Sequence, residues 1–96
     1  MMSFIAKLVI KPTARAEFEK AQRELKKLTL EKEPDALVYE FLQSRTEPDT
    51  YMVVATFRDD AAFDSHMKID FHERLVPPIL AALAGEMDLK FYDSLA

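Results

Sequence analysis

Phe57-Arg58-Asp59-Asp60-Ala61-Ala62-Phe63-Asp64-Ser65-His66 is where one periodicity gives way to another. Just before it, Tyr51 to Phe57 is β-branched and aromatic, the composition of a half-buried strand. The run stops at an aspartate pair. An aspartate carboxylate can accept from one of the backbone N–H groups left free at a helix start, so Asp59 or Asp60 predicts a cap. Beyond it Ala62, Phe63 and Met67 share a face, with His66 beside them. The stretch therefore predicts strand, cap and a helix over Asp59 to Lys68.

Working outward, Phe4 to Ile10 reads as a first strand, ended by Lys11-Pro12-Thr13. Thr13 is a candidate N-cap for a helix from Ala14 to about Leu30, in which Phe18, Ala21, Leu25 and Leu28 recur at steps of three and four. Glu31-Lys32-Glu33-Pro34-Asp35 breaks it. Ala36 to Ser44 and Thr50 to Arg58 read as strands whose short link, Arg45 to Asp49, demands an antiparallel hairpin, because a parallel crossover needs roughly a dozen residues. Asp70 to Val76 either continues the second helix or forms a separate turn. Pro77-Pro78 predicts a break, since each proline removes a backbone donor and restricts the residue before it. Ile79 to Ala84 then reads as a short helical piece, Gly85 as its C-terminal stop, and Met87 to Asp93 as a fourth strand. The order β-α-β-β-α-β is that of an α+β, ferredoxin-like split unit with an antiparallel sheet, as one domain over residues 1–96.

Composition narrows the function classes. The chain is 49% hydrophobic and 31% charged, the balance of a folded globular domain. The formal charge is −4, and the densest basic cluster, Arg23, Lys26 and Lys27, is interleaved with glutamates. That is a solvated helix face, not the concentrated basic surface nucleic acid requires. No apolar run reaches the roughly 20 residues of a membrane span. The opening residues lack the basic and apolar segments of a signal peptide, so the cytoplasm is the expected compartment. There is no cysteine, hence no disulfide or thiolate nucleophile, and the single glycine rules out glycine-rich phosphate loops.

Three strands carry apolar side chains on both faces. Phe4, Ala6, Leu8 and Ile10 lie opposite Ile5 and Val9; Leu37, Tyr39 and Phe41 lie opposite Ala36, Val38 and Leu42; Tyr51, Val53, Ala55 and Phe57 lie opposite Met52 and Val54. One layer of helices covers one face. A homodimer, sheet against sheet, is expected to cover the other.

The order of these pieces resembles the antibiotic biosynthesis monooxygenase family and its quinol monooxygenase-like members. The resemblance rests on Ile10-Lys11-Pro12, on Glu17-Phe18, on Glu33-Pro34-Asp35 before an aromatic strand, on Ala61 to His66, and on Phe71 and the segment from Pro77 to Leu83. Thr13 and Asp35 stand where relatives often have glycine. The resemblance implies a dimeric α+β barrel around an apolar pocket. It also implies a cofactor-independent monooxygenase that oxidises a quinol or polycyclic phenol with O2, or a non-catalytic module that binds a small apolar ligand. The haem-degrading branch uses Asn, Trp and a His ligand; this chain has no Asn or Trp, and Leu75 stands near the ligand position.

His66 is the candidate base, since imidazole exchanges protons near neutral pH. A structural histidine tied to the backbone is the other reading of the same residue. Tyr39, Phe41, Tyr51, Phe63, Met67 and Phe71 are the candidate substrate-binding residues, apolar rings and a thioether that would hold a flat aromatic molecule away from water. No cofactor is expected. No metal site is expected either: His66, Asp70 and His72 do not share one helical face, and Asp70 stands where relatives often have a second histidine.

Overall fold

The computed structural model describes residues 1–95. Strand β1 (Met2–Val9) leads through a single 3-10 turn, Pro12–Ala14, into helix α1 (Arg15–Lys32). Strands β2 (Ala36–Gln43) and β3 (Thr50–Phe57) form the hairpin; helices α2 (Asp60–Lys68) and α3 (Asp70–Ala81) follow, then strand β4 (Asp88–Asp93). The sheet order is β2-β3-β1-β4, with every neighbouring pair antiparallel. This is the α+β ferredoxin-like arrangement, with the helices on one sheet face.

Local chemistry explains most boundaries. Asp59 caps α2 as its composition predicts: its side chain accepts from the Ala62 N–H at 2.8 Å. Thr13 does not cap α1. It lies inside the 3-10 turn, and the helix starts after Ala14 without a side-chain cap. Its start is held instead by Arg15, which donates to the Pro48 carbonyl at 2.7 Å and pairs with Asp49 in the β2–β3 loop.

The pair Pro77-Pro78 does not break the chain. Both residues lie inside the continuous helix α3, which is separated from α2 at Ile69, where ψ is 147°. The prolines deprive the Glu73 and Arg74 carbonyls of their helical donors. All four residues are exposed, so water can take the vacated bonds. Gly85 is not a left-handed stop: it has no positive φ, and the helix closes at Ala82, before reaching it. The segment beyond α3 instead pairs with the end of β1, through Lys11 N–H to Ala82 O at 2.9 Å and Ala84 N–H to Val9 O at 2.8 Å.

One strand departs from strict alternation. A bulge in β2 between Ala36 and Val38 leaves Leu37 as the extra residue. Ala36 therefore turns to the helix-covered face with Tyr39, opposite Phe57, instead of sharing a face with Val38. The core under the helices gathers Phe4, Ala6, Leu8, Phe18, Leu25, Val53, Ala55, Phe57, Phe71, Leu75 and Ile79. On the opposite face Val9, Val38 and Leu42 are exposed, with Ile5, Met52 and Val54 part-buried among them.

Candidate active site

Helix α2 carries His66 inward, where the residue is 2% exposed. Its Nδ1 lies 2.8 Å from Oε2 of Glu33, the residue that closes α1. The helix ends there because Pro34 follows, and the turn drops the Glu33 carboxylate beside α2. The ring also lies 5.0 Å from Phe57 and 4.7 Å, edge to face, from His72 of α3. With Glu33 ionised, the Nδ1–H donates to it and the Nε2 lone pair is left free. Nε2 has no hydrogen-bond partner. It is not shut off from open space either, since Thr29 Oγ1 is the one fully buried side-chain polar atom without a partner among the described residues.

His66 lines a cavity of about 230 Å3 between sheet and helices. Phe4, Ala6, Leu8, Val53 and Tyr39 form its floor; Gln22 and Leu25 of α1, Phe63, His66 and Met67 of α2, and His72 and Ile79 of α3 wall it. Ala6 explains the hollow: it lies between Phe4 and Leu8 on β1 and fills none of the space a larger side chain would occupy. Apolar groups dominate the lining, and the polar ones gather on Gln22, Tyr39, His66 and His72.

The Tyr39 hydroxyl donates to Gln22 Oε1 over 3.4 Å, a long contact. Burial, and after it the nearby Glu33 carboxylate, push the Tyr39 pKa well above its ordinary value, so the phenol keeps its proton. Burial and then the neighbouring His66 lower His72 to about 4, so this ring is uncharged at neutral pH.

Of the residues singled out in the sequence, His66, Tyr39, Phe63 and Met67 meet around the cavity. Phe41 and Tyr51 do not. They stack 5.4 Å apart at the other end of the sheet, where the Tyr51 hydroxyl donates to Glu19 at 2.6 Å. Phe71 packs in the core at 3% exposure and is not part of the lining. Gln22, Glu33 and the cavity-side role of His72 escape a sequence reading. A signal for two of them existed: Phe18, Gln22, Leu25 and Thr29 are the buried residues of α1, and Glu33 continues that spacing. Polar side chains on the buried stripe of an amphipathic helix ask for a partner. Among the described residues, no three His, Cys, Asp or Glu side chains gather as a metal-ligand set.

An antiparallel α+β sheet with one helical layer, and between them a largely apolar cavity lined by a carboxylate-backed histidine, defines a small ferredoxin-like domain. The chain belongs to the antibiotic biosynthesis monooxygenase family, whose sequence profile matches residues 1–77. A crystal structure of an antibiotic biosynthesis monooxygenase is 28% identical, with TM-score 0.91 and coverage of 100% of both chains. A candidate antibiotic biosynthesis monooxygenase of Caulobacter crescentus is 26% identical, with TM-score 0.94 and coverage of 99% of this chain and 90% of that one. A conserved protein of Methanosarcina mazei shares the fold at 24% identity, with TM-score 0.90 over 95% of this chain and 89% of that one. No curated protein matches the sequence.

Proposed function

We propose that the protein is a cofactor-independent monooxygenase that oxidises a quinol or polycyclic phenol with O2, with His66 as its base. The observation that carries this reading is the Glu33–His66 pair at 2.8 Å beside a largely apolar cavity. Glu33 holds the proton on Nδ1 and leaves Nε2 as the acceptor. Nε2 takes a proton from a phenolic hydroxyl, or from the CH2 of its keto tautomer. The resulting anion is electron-rich enough to pass one electron to O2, and the radical pair closes a C–O bond. The peroxide takes the proton back from His66. Loss of the remaining C–H proton together with hydroxide breaks the O–O bond and leaves a carbonyl. In sum a CH2 group and O2 become C=O and water: one oxygen atom enters the product, the other leaves, and the substrate carbon supplies the electrons.

Family membership supports this class of reaction, and the low polarity of the lining suits it, because water would quench the anion. The same reading extends to a homodimer. Val9, Val38 and Leu42 are each more than 40% exposed on the uncovered face, and a second copy laid sheet against sheet would bury them.

The test is O2 uptake by the protein, without added metal or cofactor, over a panel of hydroquinones and anthrone-like phenols. Uptake above autoxidation is expected, falling by at least about a hundredfold in His66→Ala. Binding of the same molecules without uptake would replace the enzyme by a ligand-binding module. Uptake that survives His66→Ala would remove the base from His66.

A further inference from the structure

The cavity holds a second polar group that the reaction above does not use. Gln22 projects from α1 into the cavity lining and is 4% exposed. Its amide oxygen is occupied: the Tyr39 hydroxyl donates to it at 3.4 Å. That contact also sets which way the amide points. Tyr39 is 4% exposed, keeps its phenolic proton and has no other acceptor, so it claims the oxygen and turns the NH2 group away from itself. The Gln22 Nε2 has no hydrogen-bond partner in the protein. It is also not among the polar atoms shut off from open space, and the open space beside Gln22 is the cavity.

A donor left unpaired when an occupant displaces the solvent beside it costs about 1–3 kcal/mol, so an occupant that supplies an acceptor there is favoured over one that does not. His66 Nε2 offers the opposite polarity, an acceptor awaiting a proton. The two groups come from different helices, α1 and α2, and line the same hollow. Around them Phe4, Leu8, Val53 and Ile79 offer no polar atom, so an oxygen on the occupant has few other places to be satisfied.

We infer that the Gln22 side-chain amide is the donor that reads a carbonyl or enolate oxygen on the occupant, so that the cavity prefers an oxygen-bearing molecule to a hydrocarbon of the same shape. The inference deepens the monooxygenase reading and rests on it for the fate of the ligand, but not for its recognition. Where the base draws off a proton, the charge moves to the oxygen that Gln22 faces. A hydrogen bond there is stronger to the anion than to the ketone, so the same contact assists proton removal.

The experiment uses a matched pair of bicyclic probes, 1-tetralone and tetralin, which differ only by C=O against CH2. Their dissociation constants are measured by nuclear magnetic resonance titration on the intact protein and on Gln22→Met, which keeps the side-chain length and removes the donor. Comparing the ratio of the two constants between proteins cancels the difference in their hydration. The expected result is that the variant loses about tenfold of its preference for the ketone, the worth of one net hydrogen bond, while tetralin binding holds or tightens. A second measurement needs no variant. The Gln22 NH2 protons of the wild-type protein shift downfield with tetralone and not with tetralin. An unchanged ratio in Gln22→Met, an equal response of the NH2 protons to both probes, or no binding of either probe overturns the inference. Oxygen uptake is not read here. Ketone selectivity without turnover sinks the enzyme and spares Gln22; turnover with an unchanged ratio does the reverse.

Discussion

Near the start of α1, Glu19 accepts from the Tyr51 hydroxyl at 2.6 Å; at its close, Glu33 meets His66 at 2.8 Å. Both ends of the helix-covered sheet face thus carry an acid from the same helix bonded to a buried ring. They differ in what lies beside the pair. At the Tyr51 end, Phe18 packs 4.8 Å from Tyr51 and Phe41 stacks on the same ring, so the interior is filled, and the hollow of about 210 Å3 beside the pair is a polar one bounded by Arg23, Lys26 and Gln43. At the His66 end the corresponding floor includes Ala6 and Val53, and about 230 Å3 stays open. An acid–ring pair therefore does not by itself make an apolar cavity. One forms where the neighbouring strand residues are too small to close over the pair.

Truncating the filled end is the hardest blow to the fold. Phe18 is 1% exposed and touches both Phe41 and Tyr51, so Phe18→Ala is expected to cost about 3–5 kcal/mol in urea denaturation. Enlarging a residue at the hollow end should do little. Ala6→Phe places a ring where the cavity is, so its cost is expected to stay below the roughly 1–3 kcal/mol of overpacking a filled core. The same variant should no longer bind tetralone. If Ala6→Phe proved as damaging as Phe18→Ala, the two ends would be equally packed and the contrast would fail.

The acids separate the ends next. Glu33→Ala leaves the Nδ1 of a 2% exposed histidine without its partner, for an expected loss of about 1–3 kcal/mol in the same denaturation assay. It should also depress oxygen uptake, because the imidazole is no longer held in one tautomer. Tyr51→Phe removes the hydroxyl that Glu19 accepts from, yet Glu19 keeps Arg23 at 3.1 Å and some contact with water. Its expected cost is under about 1 kcal/mol, with uptake unchanged. A loss of uptake in Tyr51→Phe equal to that in Glu33→Ala would move the chemistry toward the filled end.

How far this contrast can be read from sequence follows from its range. The period-two runs, the Asp59 cap and the short hairpin link are local, and each predicts the element that forms. Two proline-based and glycine-based readings fail because the surroundings decide: Pro77 and Pro78 sit on the wet side of α3, and Gly85 lies past the helix end with open space around it. The β2 bulge inverts the face of Ala36, a change that hydrophobic pattern alone does not mark. His66 stands out as a histidine on an apolar helix, but its partner is 33 positions away. Tyr39 and Tyr51 look equivalent as aromatic strand residues. Only the neighbouring side-chain volumes place one in a cavity wall and the other in a stack.

The smallest expected effect concerns His72, which has no counterpart at the filled end. Burial and the adjacent His66 lower its pKa from the ordinary 6.5 to about 4. As pH falls through 6.5 the unfolded chain takes up this proton while the folded ring does not. The native state therefore loses stability from about 6.5 down to about 4, with nothing further lost from this group below that and none lost above 6.5. The ring is only half-buried, so water screens much of the penalty. Thermal melts at both ends of this window should show the wild-type protein losing more Tm than His72→Gln, by about 4 °C or less. The carboxylates titrate in both proteins and cancel in the difference. Equal losses would mean that His72 is as well hydrated in the folded protein as in the unfolded chain, and the cavity wall it forms would then be open to water, unlike the packed interior between Phe18 and Tyr51.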